Sequence, residues 1–484
     1  MHKADNDNVV TDELTLNYHL MHPGNESSPG DPNVAFYLDG VYHLHYILRH
    51  PWRDKHSFAF IHITSPDMLH WTWQTTKLQP SFTKHGMFSG TGFITKEGQP
   101  AAIYHGQASG RNQIAVAKDK HLLNWEEPYP VEPKTTEGQD ADMNHWDPDC
   151  FLINNTYYAI SGGQNPPLIK SKDLTNWTFV GNFLKHELPD VAIGEDISCP
   201  NFFPLGDKYM LLCISHQLGC RYYIGNWNAE TEQFVPETHG RMNWKRPEQS
   251  IYNPVYRDFF APESLLTPDG RRVMWAWLAT LDESINQKTI QFLPRELNLS
   301  TNGSLRFQPL RELESLRYAP VTLNNLEVPP PKWENGKMIT PLLTELSYDA
   351  LEVKITIDKT EAWRKRFGFQ LFANEDHTGL PIMIYPESST LQVGDAEAPF
   401  SVADLPEEDL ELRIFIDKYL VEVFANNRQA VVAAHMDYQS AKGLHGYVFG
   451  SNIMIKQIEI WRLKPTNQGF FEAKQNRIWE PDEQ

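Results

Sequence analysis

The chain has 484 residues, with 43 Lys and Arg against 62 Asp and Glu, a formal net charge of −19, 40% hydrophobic and 12% aromatic residues. A chain of this length can bury a large core without disulfide or metal staples, and two or three domains are expected. The acidic balance and the lack of a Lys/Arg-rich run argue against nucleic acid or an anionic membrane as partner, because no basic surface is available to displace phosphate counterions.

The first sixteen residues lack an apolar stretch of signal-peptide length, and no apolar run is long enough to span a bilayer. Cys150, Cys199, Cys213 and Cys220 show no CxxC spacing, and read as reduced core thiols rather than disulfides or metal ligands. A cytoplasmic location follows as an expectation.

Short strands rich in Val, Ile, Tyr and Phe alternate with Gly, Asn, Asp and Pro turns, so the chain reads as all-β. Five segments align: DPNVAFYLDGVYHLHY from Asp31, SGTGFITKEGQPAAIYHG from Ser89, DPDCFLINNTYYAISGG from Asp147, CPNFFPLGDKYMLLCIS from Cys199 and APESLLTPDGRRVMWAW from Ala261. Their starts fall 58, 58, 52 and 62 residues apart, and each holds a strand, a polar turn and a second strand. Tryptophans 71, 125, 177 and 227 recur in step with them. A period of this size with three or four strands predicts the blades of a five-bladed β-propeller, because one such sheet buries both faces only when neighbours stack on it. Recurrence itself gives Trp71, Trp125 and Trp177 a packing role.

After the last repeat, three consecutive prolines, Pro329 to Pro331, suggest a linker over 318–335 between a propeller in 1–317 and a second domain in 336–484. There the runs LEVKITID, FGFQLF, LPIMIY, LELRIFID, YLVEVFAN and AVVAAH alternate in the manner of a β-sandwich.

Innermost propeller strands bring equivalent positions around one pocket. The first aligned position holds Asp31, Ser89, Asp147, Cys199 and Ala261. Two residues on, pointing to the same side of each strand, come Asn33, Thr91, Asp149, Asn201 and Glu263. Two aspartates at one ring position invite a chemical reading, since like charges close together cost energy unless they are employed. Trp52, Phe88 and Trp146 offer faces on which a sugar ring can stack. An acidic pocket with aromatic walls suits glycoside hydrolysis, which needs one carboxylate at the anomeric carbon and one acid at the leaving oxygen.

These residues resemble motifs of glycoside hydrolase family 32, the invertases, inulinases, levanases and fructosyltransferases. Gly30-Asp31-Pro32-Asn33 resembles the family's N-D-P-N-G element, His62 to Trp71 its G-H-A-x-S-x-D-L-x-x-W element, and Phe88-Ser89-Gly90-Thr91 its F-S-G-S element. Asp147-Pro148 resembles R-D-P, Cys199-Pro200 the end of E-C-P, and Leu293 to Leu297 and Glu312 to Arg317 its P-R-E-L and E-L-x-x-L-R segments. Leu412 to Asn426 resembles a strand pair of its C-terminal sandwich. The resemblance implies a retaining double displacement at fructosyl C2, with Asp31 as nucleophile, Asp147 stabilising the oxocarbenium-like transition state, a glutamate as acid/base, and no metal or other cofactor.

Two positions depart from the pattern. Trp146 stands where R-D-P has arginine, with Arg49, Arg111 and Arg221 as substitutes. Ser198 stands where E-C-P has glutamate, and serine is no general acid. The acid then falls to Glu195, with Asp196 and Glu263 as alternatives; Glu263 otherwise reads as a partner to a nearby arginine such as Arg257. Asn33, Trp52, Phe88, Ser89, Trp146 and Asp149 are the expected substrate contacts. The expected activity is hydrolysis of β-fructofuranosyl linkages in oligosaccharides of sucrose, inulin, levan or difructose-anhydride type. A fructosyltransferase, a difructose-anhydride-forming enzyme and a non-catalytic carbohydrate-binding homologue are the alternatives.

Overall fold

The computed structural model describes residues 14–24, 29–53, 56–186, 188–189, 194–242, 258–279, 289–374, 379–404 and 407–482. Arg257 lies outside them. Five antiparallel sheets precede residue 310 among the described residues. They comprise β1–β4 (Pro32–Leu38, Val41–Arg49, Phe58–Ser65, Thr72–Trp73), β5–β8 (Gly86–Ile94, Pro100–Gln107, Arg111–Val116, Tyr129–Pro130) and β9–β12 (Pro148–Ile153, Thr156–Ser161, Pro167–Ser171, Trp177–Asn182). The fourth is β13–β16 (Ser198–Leu205, Lys208–Ser215, Gly219–Asn228, Gln233–Arg241), and the fifth β17–β21 (Asp258–Leu266, Arg272–Ala279, Ile290–Gln291, Arg295–Leu299, Leu305–Pro309). Each aligned repeat of the sequence thus supplies the first hairpin of one sheet.

The first strands of the five sheets are joined by side chains rather than by backbone ladders. Asn33 on β1 accepts from Gly90 N–H on β5 at 2.8 Å. The Thr91 hydroxyl on β5 donates to Asp149 Oδ1 on β9 at 2.7 Å, and Asp149 Oδ2 accepts from Phe202 N–H on β13 at 2.7 Å. Asn201 Oδ1 on β13 accepts from Ser264 N–H on β17 at 2.8 Å. Glu263 Oε1 on β17 accepts from Ala35 N–H at 3.1 Å, which returns the series to β1. Apart from Ala35, every member is the second aligned position of its repeat or a residue beside one, and at every joint but the Thr91–Asp149 one the polar residue satisfies a backbone donor.

Four of the five first strands carry a register shift close to these joints, between Asn33 and Phe36, Met87 and Gly90, Ser198 and Asn201, and Phe260 and Glu263. Val34, Cys199 and Ala261 take φ of 46°, 44° and 49° there. Left-handed backbone at non-glycine residues is strained and persists only where its surroundings enforce it, and it clusters at functional sites. On β5, Gly90 closes the register shift, where a Cβ would come within 2.1 Å of the Ile103 carbonyl oxygen. Trp71, Trp125 and Trp177 are buried, and the indoles of Trp125 and Trp177 donate to the carbonyls of Leu122 and Leu174 at 2.9 and 2.8 Å.

Beyond residue 316, two six-stranded sheets form, with a two-stranded hairpin of β23 (Lys332–Glu334) and β24 (Lys337–Ile339). One contains β22 (Arg317–Val328), β26 (Ala350–Ile357), β31 (Leu410–Asp417), β32 (Leu420–Ala425), β33 (Gln429–Ala434) and β35 (Ile453–Leu463). The other contains β25 (Leu342–Glu345), β27 (Phe367–Ala373), β28 (Leu380–Tyr385), β29 (Thr390–Val393), β30 (Ala396–Pro399) and β34 (Gly443–Val448). The stretch read as a linker holds β22, which pairs with β35 from Arg317 to Val328. Its side chains are largely exposed, so apolar alternation gave no sign of it.

The N-terminal sheets and this unit share a polar seam. Asp417 accepts from the backbone N–H groups of Asn17, Tyr18 and His19, and Glu422 accepts from Leu293 N–H. The His19 ring lies between the two carboxylates at 2.9 and 3.2 Å. Burial opposes its charge, but the bonds to Asp417 and Glu422 prevail and raise its pKa to about 9. From residue 464 the chain turns back toward β1–β4. Phe470 of the helix Gln468–Asn476 meets Trp73 edge-on, Trp479 packs on His22, and Asp482 N–H donates to Gln79 Oε1 at 2.8 Å. Gly469 presses against Trp71, where a Cβ would lie 1.9 Å from the carbonyl oxygen.

Candidate active site

The first aligned position is where the acidic groups converge. Asp31 and Asp147 are both buried. Ser89 lies 3.4 Å from Asp31 Oδ2, Cys199 Sγ lies 3.4 Å from the Ser89 hydroxyl and 3.6 Å from Asp147 Oδ2, and Cys199 N–H donates to that same oxygen at 3.1 Å. Two carboxylates, a hydroxyl and a thiol from four sheets therefore form one continuous cluster. The Oδ1 atoms of Asp31 and Asp147 are buried with no hydrogen-bond partner among the described residues. Acceptors left open in this way are available to hydroxyls of a ligand.

Burial, followed by the neighbouring charge of Asp147, raises the Asp31 pKa to about 7. Burial raises Asp147 to about 6, against the pull of the Cys199 N–H and thiol. Burial and the two carboxylates together push the Cys199 thiol well above its usual range, which keeps it protonated. Carboxylates perturbed by burial and by a neighbouring charge make this cluster the candidate reactive centre.

Phe88 and Trp146 flank this cluster in sequence and meet in space, with ring centroids 6.1 Å apart. Both are half-buried, so they present faces to a ligand. Trp52 is half-buried too, with the Arg53 guanidinium 4.3 Å from its ring. Of the arginines considered in place of the R-D-P residue, Arg49 and Arg111 are exposed and Arg221 is buried.

Asn33, Asp149 and Glu263 use their polar atoms differently. Asn33 donates to the Asp31 carbonyl and accepts from Gly90, and both Asp149 oxygens are held by Thr91 and Phe202. Glu263 accepts from Ala35 N–H and, at 3.3 Å, from the Asn201 amide, while burial holds its pKa well above the usual carboxylate range. Their polar atoms are thus engaged in the joints between first strands.

The segment before β13 places the remaining acids. Gly194 has φ 73° and turns the chain, after which Asp196 and Ser198 point to one side and Glu195 to the other. Glu195 is buried, accepts from the Tyr223 hydroxyl at 2.6 Å and lies 3.3 Å from Arg221 Nε. No hydrogen bond joins it to Asp31 or Asp147 among the described residues. Asp196 accepts from the Ser198 hydroxyl at 2.8 Å, from His216 N–H at 2.9 Å and from the His216 ring at 2.6 Å. Burial alone would raise the Asp196 pKa, but these bonds outweigh it and hold the carboxyl well below the usual range. Trp146 Nε1–H donates to Ser198 at 3.2 Å, so Trp146, Ser198, Asp196 and His216 are linked in one chain.

His216 escaped the sequence reading. The signal lay in strand register: Ser198 pairs with Ile214 in the β13–β14 hairpin, and continuing that ladder by two residues sets Asp196 opposite His216.

Comparison with known proteins gives the family. Residues 24–309 match the model of the glycosyl hydrolases family 32 N-terminal domain, and residues 312–462 match that of the family's C-terminal domain. A probable sucrose-6-phosphate hydrolase of Psychromonas ingrahamii is 27% identical over 88% of this chain and 77% of its own length. A raffinose invertase of Escherichia coli is 24% identical over 92% and 94%. Among solved structures, fructan 1-exohydrolase IIa of Cichorium intybus superposes with a TM-score of 0.71 at 20% identity, over 94% of this chain and 98% of that one. Sucrose-6-phosphate hydrolase of Lactobacillus gasseri gives 0.72 at 18% identity over 96% and 98%. The likeness covers the propeller-and-sandwich fold and both family models together, and the chain belongs to glycosyl hydrolases family 32.

Proposed function

We propose that the protein is a retaining glycoside hydrolase that cleaves β-fructofuranosyl linkages in fructose-containing oligosaccharides through a fructosyl-enzyme intermediate. The observation that carries this reading is the Asp31–Asp147 pair, buried together with one open oxygen on each. Asp31 attacks the anomeric carbon. Asp147 holds fructose hydroxyls and balances the positive charge that develops on the ring. Phe88 and Trp146 stack on the sugar. The names of relatives support the substrate class: they include sucrose-6-phosphate hydrolases, a raffinose invertase and a levanase, and one fructan exohydrolase was solved with 1-kestose.

The same reading takes the five N-terminal sheets as five blades of one propeller, supported by the side-chain joints that run from β1 through β5, β9, β13 and β17 back to β1. It divides the chain near residue 310, where one family model ends and the next begins. Fructose release from sucrose, short inulin and levan tests the activity. Turnover of at least one, lost by at least roughly 1,000-fold in Asp31→Asn as expected for removal of a nucleophile, supports it. No turnover of any fructoside, or an Asp31→Asn variant that matches the parent, rejects it.

A further inference from the structure

A retaining hydrolase needs a group that protonates the leaving oxygen and later deprotonates water. Glu195 gives Oε1 to the Tyr223 hydroxyl and pairs with Arg221, its buried Oε2 has no hydrogen-bond partner among the described residues, and no hydrogen bond joins it to Asp31 or Asp147 there; Glu263 is bonded to Ala35 and Asn201, and Asp196 accepts three hydrogen bonds that hold its carboxyl well below the usual range. A different donor, bonded to Asp196, lies within electrostatic range of the carboxylate pair.

We propose that His216 is the general acid/base of this site and that Asp196 is its positioning residue. The inference rests on the fructosidase reading above. Asp196 binds the Nδ1 side of the ring at 2.6 Å and the His216 backbone N–H at 2.9 Å, which fixes the imidazole from two directions. Ser198 and Trp146 in turn hold Asp196 Oδ2 in place. With Nδ1 committed, Nε2 is the end left for substrate, and it carries no hydrogen bond among the described residues. The ring is partly open, with 56% of its side-chain surface exposed, and its edge lies against Phe260 at a centroid distance of 5.8 Å. The charged groups facing it are Asp196, Asp147 and Asp31. The Asp196 bond, then the charges of Asp196, Asp147 and Asp31, raise its pKa above the ordinary imidazole value against the opposing effect of burial.

In the first step Asp31 forms a bond from a carboxylate oxygen to C2. The C2–O bond to the leaving sugar breaks, its electron pair stays on that oxygen, and the oxygen takes the proton from His216 Nε2. In the second step neutral His216 removes a proton from water as the water oxygen bonds to C2. The ester bond breaks, and its electron pair returns to Asp31.

The test compares sucrose, whose leaving group needs a proton, with a β-fructofuranosyl fluoride, whose leaving group does not. His216→Ala is expected to lose about 100- to 10,000-fold in kcat/KM on sucrose and less than about tenfold on the fluoride. Azide, which attacks without a base, is expected to restore turnover of the fluoride and give a fructosyl azide. The alkaline limb of kcat/KM on sucrose should vanish in His216→Ala, move to lower pH in Asp196→Asn and stay in place in Glu195→Gln. Equal loss of His216→Ala on both substrates, or an alkaline limb that survives it, overturns the role of His216. Absence of any wild-type turnover, or an Asp31→Asn variant as active as wild type on the fluoride, instead overturns the fructosidase reading beneath it. Circular dichroism and melting curves on each variant separate loss of fold from loss of proton transfer.

Discussion

Trp146 donates its indole N–H to the Ser198 hydroxyl at 3.2 Å. These are the two residues at which the chain departs from the R-D-P and E-C-P motifs, and they sit in contact although 52 positions apart. A donor at 146 that reaches Ser198 leaves the Ser198 proton directed at Asp196. The pair should therefore be coupled. In a cycle of Trp146→Phe, Ser198→Ala and the double variant, the effects on stability are expected to be non-additive by about 0.5 kcal/mol or more. Strict additivity in denaturant titrations would show the contact to be incidental.

Asp31 and Asp147 place chemistry and stability in opposition. Their pKa values of about 7 and about 6 lie above those of free carboxyls. A carboxyl raised in the folded state stabilises the fold below its unfolded pKa near 4, and that contribution is lost as pH rises through the folded value. Asp31→Asn, which removes one buried charge, should therefore raise the melting temperature at pH 8 more than at pH 5 while abolishing activity. A lower melting temperature at pH 8 would contradict this sign.

Thr91→Val keeps the shape of the side chain but deletes the donor to Asp149 Oδ1. A buried acceptor left open costs about 1–3 kcal/mol, so the variant should unfold at lower denaturant with KM for a fructoside little changed. A large rise in KM at unchanged stability would assign Asp149 to the substrate instead.

Glu195→Ala leaves Arg221 buried beside Tyr223 without its carboxylate. Removing one partner of a buried ion pair typically costs about 3–5 kcal/mol, and equilibrium unfolding should show a loss of that order.

The β2–β3 hairpin buries three histidines. His43 Nδ1 and His62 Nε2 are 2.9 Å apart, and the His45 ring stacks on His62 with centroids 4.5 Å apart. Burial lowers His43 to about 4, His45 to about 3 and His62 well below its usual value. A histidine lowered in the folded state gives stability that is present above pH 6.5 and lost as pH falls toward the folded value. Its sign is opposite to that of the carboxylate pair. His45→Gln should flatten the fall in melting temperature between pH 6.5 and 4, whereas an unchanged slope would remove this hairpin from the acid response.

The period of 50 to 60 residues carried the large-scale arrangement, because each repeat must bury the same faces against its neighbours and so repeats the same spacing. The aligned positions also carried the Asp31–Asp147 pairing. Assignment among the other carboxylates was not legible in the same way. Asn33, Asp149 and Glu263 share the alternation of Asp31 and Asp147, but their polar atoms are taken up by groups on the neighbouring first strands, which no periodicity count contains. Glu195 and Asp196 are adjacent in the chain, and only the turn at Gly194 decides which faces the carboxylate pair. His216 belongs to no motif and is found only by extending a hairpin ladder past its last paired residue. β22 stayed hidden because most of its side chains face solvent.

The return of residues 464–482 onto the first sheet gives this protein a vulnerability remote from its chemistry. Trp479 and Phe470 cover His22 and Trp73, and Gly469 fits where no side chain could. Trimming that strap would strip an aromatic lid from the sheet that carries Asn33 and follows Asp31. Proteolysis near residue 464 is therefore expected to loosen the first sheet without touching the Asp31–Asp147 cluster.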